Sequence, residues 1–168
     1  TPLFISVFCL YIAVPIALSN LIAFDKAGNF SGNLLLCFFI IIWCSDVGAF
    51  AFGISLGKIF PQKLFPSVSP KKTWIGFIGG LVSSVLAAFA LYEFGILKFP
   101  LIHCLILSLI MSVTGVYGDL FESQWKRVYG VKDSGKIIPG HGGFLDRFDS
   151  TLMAMPFGAI YLAIFDLL

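Results

Sequence analysis

The sequence predicts an all-α integral membrane protein, in which about five transmembrane helices form a polytopic bundle with a polar segment facing the cytoplasm. Hydrophobic residues make up 58% of the 168 residues and charged residues 12%, whereas a soluble domain is about 45–50% apolar and about 25% charged. The apolar residues fall into five long runs, and about 20 apolar residues in a helix cross the hydrocarbon core of a bilayer. We expect residues 1–168 to form a single membrane domain.

The five apolar runs are separated by short polar loops and by one long polar segment. Pro15 lies in the middle of the first run, where we expect it to kink a helix. Gly76, Gly80 and Ser84 recur every four residues in the third run, a spacing that lets helices approach closely, so we expect them to serve packing. The predicted spans cover residues 3–24, 34–56, 74–97, 101–116 and 151–168.

Basic residues are distributed unevenly among the polar stretches. The loop of residues 57–73 carries four lysines and no acidic residue, and residues 118–150 carry five lysines or arginines. The other two loops carry one lysine each. The positive-inside rule therefore places residues 57–73 and 118–150 on the cytoplasmic side of the membrane.

Residues 118–150 form a polar segment that contrasts with the rest of the chain. The segment holds ten of the twenty formal charges that the 11 basic and nine acidic residues supply. Its five acids and five bases cancel, and mixed charge in so apolar a chain needs a reason because leaving it in lipid is costly. The segment is either an amphipathic connector with internal salt bridges or a functional site.

The pattern inside this polar segment favours a site for a metal ion and a nucleotide. A glycine-rich stretch with lysines follows a predicted helix, and order returns at Phe144 next to a second acidic cluster. Carboxylates hold hard cations, Lys and Arg meet phosphate oxygens, and glycines let backbone N–H groups approach phosphates. Four polar residues of the predicted helix share one face through the spacing i, i+3, i+4 and i+7. They are Asp119, Glu122, Ser123 and Lys126.

Polar residues elsewhere in the chain leave two interpretations open. Asp46 lies inside the second predicted span, where a carboxylate is either functional or a buried group that bonds backbone or hydroxyl groups between helices. Lys71 and Lys72 precede the third span and either meet anionic lipid headgroups in general or bind the phosphates of a particular ligand. We expect His103, alone at the start of the fourth span, to be structural.

The run from Ser123 to Asp149 closely resembles the signature of the phosphatidate cytidylyltransferase (CDP-diacylglycerol synthase) family. Two shorter stretches are similar to family motifs as well, namely Ser-Pro-Lys-Lys-Thr-Trp at residues 69–74 and Asp-Val-Gly-Ala-Phe at residues 46–50. The chain departs from the pattern at Ile75, where the family usually has Glu, and at Ile54, where many members have a basic residue. The fixed polar residues of the long run are Ser123, Lys126, Arg127, Lys132, Asp133, His141, Asp146, Arg147 and Asp149.

The resemblance implies transfer of a cytidylyl group from CTP to phosphatidate, giving CDP-diacylglycerol and pyrophosphate. It implies a multi-pass homodimer in the bacterial plasma membrane, with Mg²⁺ or another divalent cation as cofactor and a monovalent cation as a further candidate. Family members usually carry additional hydrophobic segments on the N-terminal side, so we expect this chain to be the C-terminal part of a longer protein. We expect no nucleic-acid partner, because the net charge is only +2 and no basic stripe is present.

The resemblance also implies roles for individual residues. The implied reaction must bring two anions together and stabilise an in-line transition state, which requires metal ligands and positively charged side chains. Asp119 and Asp146 are the first choices for metal ligands, followed by Asp149 and Glu122. His141 either bonds a phosphate oxygen or shapes its loop, and Asp133 orients Lys132. Asp46 is expected to belong to the cofactor-binding site. The remaining residues expected to contact nucleotide or lipid phosphates are Lys71, Lys72, Ser123, Lys126, Arg127, Lys132 and Arg147.

Two other classes of membrane protein deserve comparison with this prediction. A transporter or channel with an intramembrane acidic site would distribute charges along a path at membrane depth, whereas here they concentrate at one face. Enzymes that consume CDP-diacylglycerol carry an Asp-x2-Asp-Gly-x2-Ala-Arg pattern, which this sequence lacks. The transporter is therefore the alternative that stays open.

Overall fold

The computed structural model describes residues 2–24, 28–131, 134–135, 143 and 145–168, with side chains from Cys9 onward. It confirms the all-α membrane fold, because a helix occupies each of the five predicted spans. Three of these helices, the second to the fourth, are long and apolar enough to cross a membrane, and residues Cys9–Ala23 form a shorter apolar helix. The helices are α1 (Pro2–Ala23), α2 (Asn33–Leu56), α3 (Trp74–Glu93), α4 (Leu101–Val128) and α5 (Leu145–Ile164).

The polar segment begins as a continuation of a membrane helix. Helix α4 runs without interruption for 28 residues, so the fourth predicted span and the polar helix predicted after it are one element. Gly118 lies inside this helix, and its missing side chain leaves room for the backbone of α5. A Cβ atom added there would collide with the backbone carbonyl oxygen of Asp149.

The loop before α3 contains a short hairpin that the sequence did not predict. Strand β1 (Lys63–Phe65) pairs antiparallel with β2 (Ser69–Thr73), with Lys63 opposite Thr73 and Phe65 opposite Ser69. The sequence analysis placed these residues in a loop and assigned no strand to them. Strands of three and five residues are too short for an alternating pattern to reveal them. The hairpin matters because it fixes the position of Lys71 and Lys72 beside the bundle.

Small residues let α2 and α3 pack closely, as their spacing predicts. A Cβ atom added to Gly76 would lie 2.8 Å from the carbonyl oxygen of Ala49, and one added to Gly80 would lie 3.0 Å from that of Ser45. The Ser45 hydroxyl also lies 2.6 Å from the Ser112 hydroxyl, which ties α2 to α4. The glycine positions therefore serve packing inside the chain, without room for larger side chains.

His103 has the structural role expected of it. Its Nδ1 lies 2.8 Å from the hydroxyl oxygen of Tyr161, and its ring lies 5.0 Å from that of Phe165. These contacts join the first turn of α4 to the last turns of α5. They lie at the opposite end of both helices from the polar segment, so His103 is separate from the candidate site.

The start of α3 contains Ile75, where the resembled family usually has Glu, and the effect of this difference can be tested. Thr73 caps the helix by accepting a hydrogen bond from the Gly76 N–H at 3.1 Å, and the first turn has no acidic residue. A carboxylate at that position would interact favourably with the helix dipole. We expect Ile75→Glu to be more stable than Ile75→Gln by about 0.5 kcal/mol, measured by thermal unfolding in detergent at low salt. Equal midpoints for the two variants would contradict this account.

Candidate active site

Lys126 lies at the centre of the candidate site, in the last turn of α4. Its Nζ is 2.7 Å from Oδ1 of Asp146 on α5 and 3.3 Å from Oε2 of Glu122 one turn earlier. The three side chains are 17%, 11% and 2% exposed, respectively. Because buried charges are tolerated only when they are paired, this triad is a coupled unit that links two helices.

Asp146 uses its second carboxylate oxygen to hold two points of the loop before α5. Oδ2 accepts hydrogen bonds from the Ser134 N–H at 2.9 Å, the Ser134 hydroxyl at 2.8 Å and the Gly143 N–H at 2.8 Å. Burial would raise the pKa of Asp146, but the hydrogen bonds from Lys126, Ser134 and Gly143 outweigh it and hold the pKa well below its usual range. Asp146 is therefore ionised at neutral pH.

Glu122 and Asp149 form a second acidic pair deeper in the bundle. Oε1 of Glu122 is buried and has no hydrogen-bond partner among the described residues. The carboxyl groups of Glu122 and Asp149 influence each other electrostatically, and Oδ1 of Asp149 accepts a hydrogen bond from the Ser150 N–H at 2.7 Å. Burial, and next the negative charge of Asp119, raise the pKa of Asp149. Two acids with one unsatisfied oxygen are suited to receive a cation or a proton.

Asp119 connects the hairpin to α4. Its Oδ2 lies 2.6 Å from Nζ of Lys72 on β2, and its Oδ1 accepts a hydrogen bond from the Ser123 hydroxyl at 3.2 Å. Both charged side chains are partly exposed, Lys72 by 24% and Asp119 by 34%. The contact brings strand β2 and the polar part of α4 to the same end of the bundle, in agreement with the distribution of lysines.

Asp46 on α2 belongs to the same neighbourhood. Its side chain is exposed on the surface of the described chain, and the charges of Asp149, Asp119 and Lys72 all act on its carboxyl group. The structure therefore brings an intramembrane carboxylate of α2 close to the residues of the polar segment. We call the five acids and two lysines of this neighbourhood the charged cluster; they are Asp46, Asp119, Glu122, Asp146, Asp149, Lys72 and Lys126.

Other predicted site residues lie at the edge of this cluster or outside the description. Lys71, Arg127 and Arg147 are exposed, on β2, in the last turn of α4 and in the first turn of α5, respectively. Lys132, Asp133 and His141 lie outside the described residues, so their roles stay predictions.

The charged cluster fits a divalent cation only with help from a substrate. In the part of the chain that the structure describes, no three His, Cys, Asp or Glu residues are close enough to hold a metal by themselves. Mg²⁺ is commonly bound by one or two carboxylates together with substrate phosphates. The unpartnered Glu122 oxygen beside Asp149 fits that mode, whereas Asp119 and Asp146 are each paired with a lysine.

Tyr11 is a site-supporting residue that sequence reasoning missed. Its hydroxyl donates a hydrogen bond to the backbone carbonyl of Asp149 at 3.3 Å. Its ring lies 5.5 Å from that of Phe121 and 6.3 Å from that of Trp125. The only available signal was a hydroxyl within an apolar run. These contacts hold α1 against the site.

Apolar helices that end in a cluster of carboxylates and lysines define a polytopic membrane protein with a charged site at one end of its bundle. The model of the cytidylyltransferase family matches residues 2–165, and the chain belongs to this family.

Several relatives share the name phosphatidate cytidylyltransferase. The protein from Bacillus subtilis (strain 168) is 50% identical over 126 residues, which are 75% of this chain and 46% of that protein. Those from Staphylococcus aureus (strain COL) and Staphylococcus saprophyticus subsp. saprophyticus are 47% and 45% identical over 124 residues, each covering 74% of this chain and 46% of the relative. The chain thus spans about half the length of the curated relatives it matches.

Proposed function

We propose that the protein transfers a cytidylyl group from CTP to phosphatidate, giving CDP-diacylglycerol and pyrophosphate. The family and the names of its relatives support this activity. The structural observation that carries the proposal is the placement of Lys72 beside Asp119, and of Lys126 between Glu122 and Asp146, at the end of an apolar bundle. Such a site can meet a water-soluble nucleotide and the phosphate of a membrane lipid at once.

The chemistry requires charge compensation more than a strong base. A phosphate oxygen of phosphatidate, anionic at neutral pH, forms a bond to the α-phosphorus while the bond to the β-phosphate oxygen breaks and pyrophosphate leaves. Lys126 and Lys72 can exchange part of their carboxylate contacts for phosphate oxygens, and the Ser123 hydroxyl can donate a hydrogen bond. A divalent cation held by Glu122 and Asp149 would supply further positive charge to the phosphates.

We also propose that the charged cluster faces the cytoplasm of a bacterial cell. The support is the concentration of lysines and arginines in residues 57–73 and 118–150, which the Lys72–Asp119 contact joins at one end of the bundle. CTP is available on that side. A homodimer and five membrane crossings stay predictions.

An assay of product formation tests this function. The longest available chain in detergent micelles would receive CTP, phosphatidate and Mg²⁺, with pyrophosphate and CDP-diacylglycerol measured together. We expect both products in equal amounts, and neither when CTP or phosphatidate is omitted. Solute flux in vesicles that needs no nucleotide, with no product in micelles, would instead favour the transporter.

The neighbouring lysines of the hairpin provide a matched pair of variants. Lys72 pairs with Asp119, whereas Lys71 is exposed on the same strand. We expect Lys72→Met to lower kcat/KM by about 100-fold because it removes a positive charge from the reacting phosphates. Lys71→Met should cause a distinctly smaller loss under the same steady-state assay. Equal losses in the two variants would show that Lys72 has no special place in the site.

A further inference from the structure

A cavity of about 740 Å³ adjoins the charged cluster, between α1, the end of α4 and the first half of α5. Its polar end is formed by Glu122, Lys126 and Ser134, two of which belong to the hydrogen-bonded network around Asp146. The cavity therefore communicates directly with the proposed place of reaction. Its volume falls in the range of small-molecule sites in proteins, roughly 300–1,000 Å³.

The rest of the cavity wall is mostly apolar and follows two helices away from the charges. On α1 the lining residues recur at the spacing of one helix face, from Ile12 through Ile16 to Ser19. On α5 they run from Phe148 to Met155. Such walls would leave the polar groups of a nucleotide without partners, so CTP is a poor occupant.

The length of this apolar wall matches half a bilayer. Tyr11 fixes α1 beside Asp149, and Ser19 lies eight residues later, about 12 Å further along the helix. The α5 wall reaches Met155 over a similar distance. One leaflet of the hydrocarbon core is about 15 Å thick. The length of the cavity is therefore similar to the depth that an acyl chain reaches when its headgroup lies at the charged cluster.

We propose that this cavity holds one acyl chain of the lipid substrate while its phosphate lies at Lys126, and that Ser19 at the far end helps to set the preferred chain length. The inference rests on the proposed function and adds a specificity site to it. The occupant follows from continuity, because a phosphatidate carries an anionic phosphate and apolar chains in one molecule. The charged and apolar ends of the cavity match those two parts.

A substitution at the far end tests the specificity directly. Ser19→Phe fills the cavity there, and Val14→Phe is the matched control, because Val14 is 42% exposed and does not line the cavity. The measurement is kcat/KM for phosphatidates with short and long acyl chains in the same micelles. We expect Ser19→Phe to lower the ratio of long-chain to short-chain activity by about 10-fold, and Val14→Phe to leave it unchanged. An unchanged ratio in an active, folded Ser19→Phe variant would overturn the proposal.

Photocrosslinking supplies a readout that does not depend on turnover or on the folding of a variant. Phosphatidate with a diazirine at the end of one acyl chain is irradiated with the unaltered protein in the absence of CTP, and the labelled peptides are mapped. We expect labels on α1 and α5 within residues 12–19 and 148–155. Labels only on other segments, in a preparation that turns over phosphatidate, would overturn the acyl site while the proposed function stands. Labels in the cavity without any product would instead contradict the proposed cytidylyl transfer and support the acyl-chain site.

Discussion

Asp146→Asn should remove nearly all activity, lowering kcat by at least about 100-fold. One oxygen of Asp146 pairs with Lys126, and the other accepts three hydrogen bonds from Ser134 and Gly143. An amide has only one acceptor oxygen, so its NH₂ group must face either the lysine or these donors. Breaking such a mostly buried pair also costs about 3 kcal/mol of stability, and the two loop points lose their anchor.

Turnover, thermal midpoint and amide exchange together test this expectation. Exchange at the Ser134 and Gly143 amides should become faster in Asp146→Asn, because their acceptor is weakened. Glu93→Gln is the matched control, because Glu93 is an exposed carboxylate at the end of α3 that lies away from the hairpin. This variant should behave like the unaltered protein. Full activity in Asp146→Asn would remove Asp146 from the site, whether as a metal ligand or as the anchor of the loop.

Gly118→Ala should lower both the stability and the activity of the protein, because it adds a methyl group where α4 and α5 touch. The added Cβ atom would collide with the carbonyl oxygen of Asp149 and lie 2.7 Å from Cβ of Met153. Because one of these atoms belongs to the backbone, α5 must move away from α4. That movement separates Lys126 from Asp146 and Glu122 from Asp149. We expect a loss of about 1–3 kcal/mol in stability and at least about 10-fold in activity.

Gly115→Ala is the matched control for this change. One turn earlier on α4, an added Cβ atom would meet Ser150 at 3.5 Å, which is ordinary van der Waals contact. Alanine is also the better helix former by about 1 kcal/mol, so Gly115→Ala should be neutral or stabilising. The measurements are the thermal unfolding midpoint and the turnover rate of both variants in the same detergent. Equal behaviour of the two variants would contradict the close approach of α4 and α5 at Gly118.

The helices could be predicted from sequence because apolar runs of membrane length have few alternative structures. Their ends were less predictable. Helix α3 stops at Glu93, before the predicted residue 97, because the chain turns at Gly95 with φ +69°. Helix α5 begins at Leu145, six residues before the predicted span. Its first turn is polar, and a prediction based on hydrophobic stretches leaves such a turn out.

The members of the charged cluster were predictable, but their partners were not. Helical spacing places Glu122 and Lys126 on one face of α4 and anticipates their contact. Nothing local in the sequence pairs Lys72 with Asp119, since the contact depends on an unpredicted hairpin and on how α4 lies beside it. The support from Tyr11 is of the same kind, because it depends on packing between distant helices.

The proposed transfer between two anionic substrates draws on this arrangement of charges. Lys72 pairs with Asp119, Lys126 lies between Asp146 and Glu122, and one oxygen of Glu122 has no hydrogen-bond partner among the described residues. Positive and negative groups are thus held ready by helix packing before any phosphate arrives. Such preorganisation is what an electrostatically driven phosphoryl transfer needs.

The fate of each CTP phosphorus tests the central claim most directly. The protein would be incubated with phosphatidate, Mg²⁺ and CTP labelled at either the α- or the γ-phosphate, and lipid and aqueous products would be separated. The proposed cytidylyl transfer predicts that the α label enters the lipid and the γ label is released as pyrophosphate. A γ label on the lipid, or no label on the lipid from an active preparation that still consumes CTP, would contradict it.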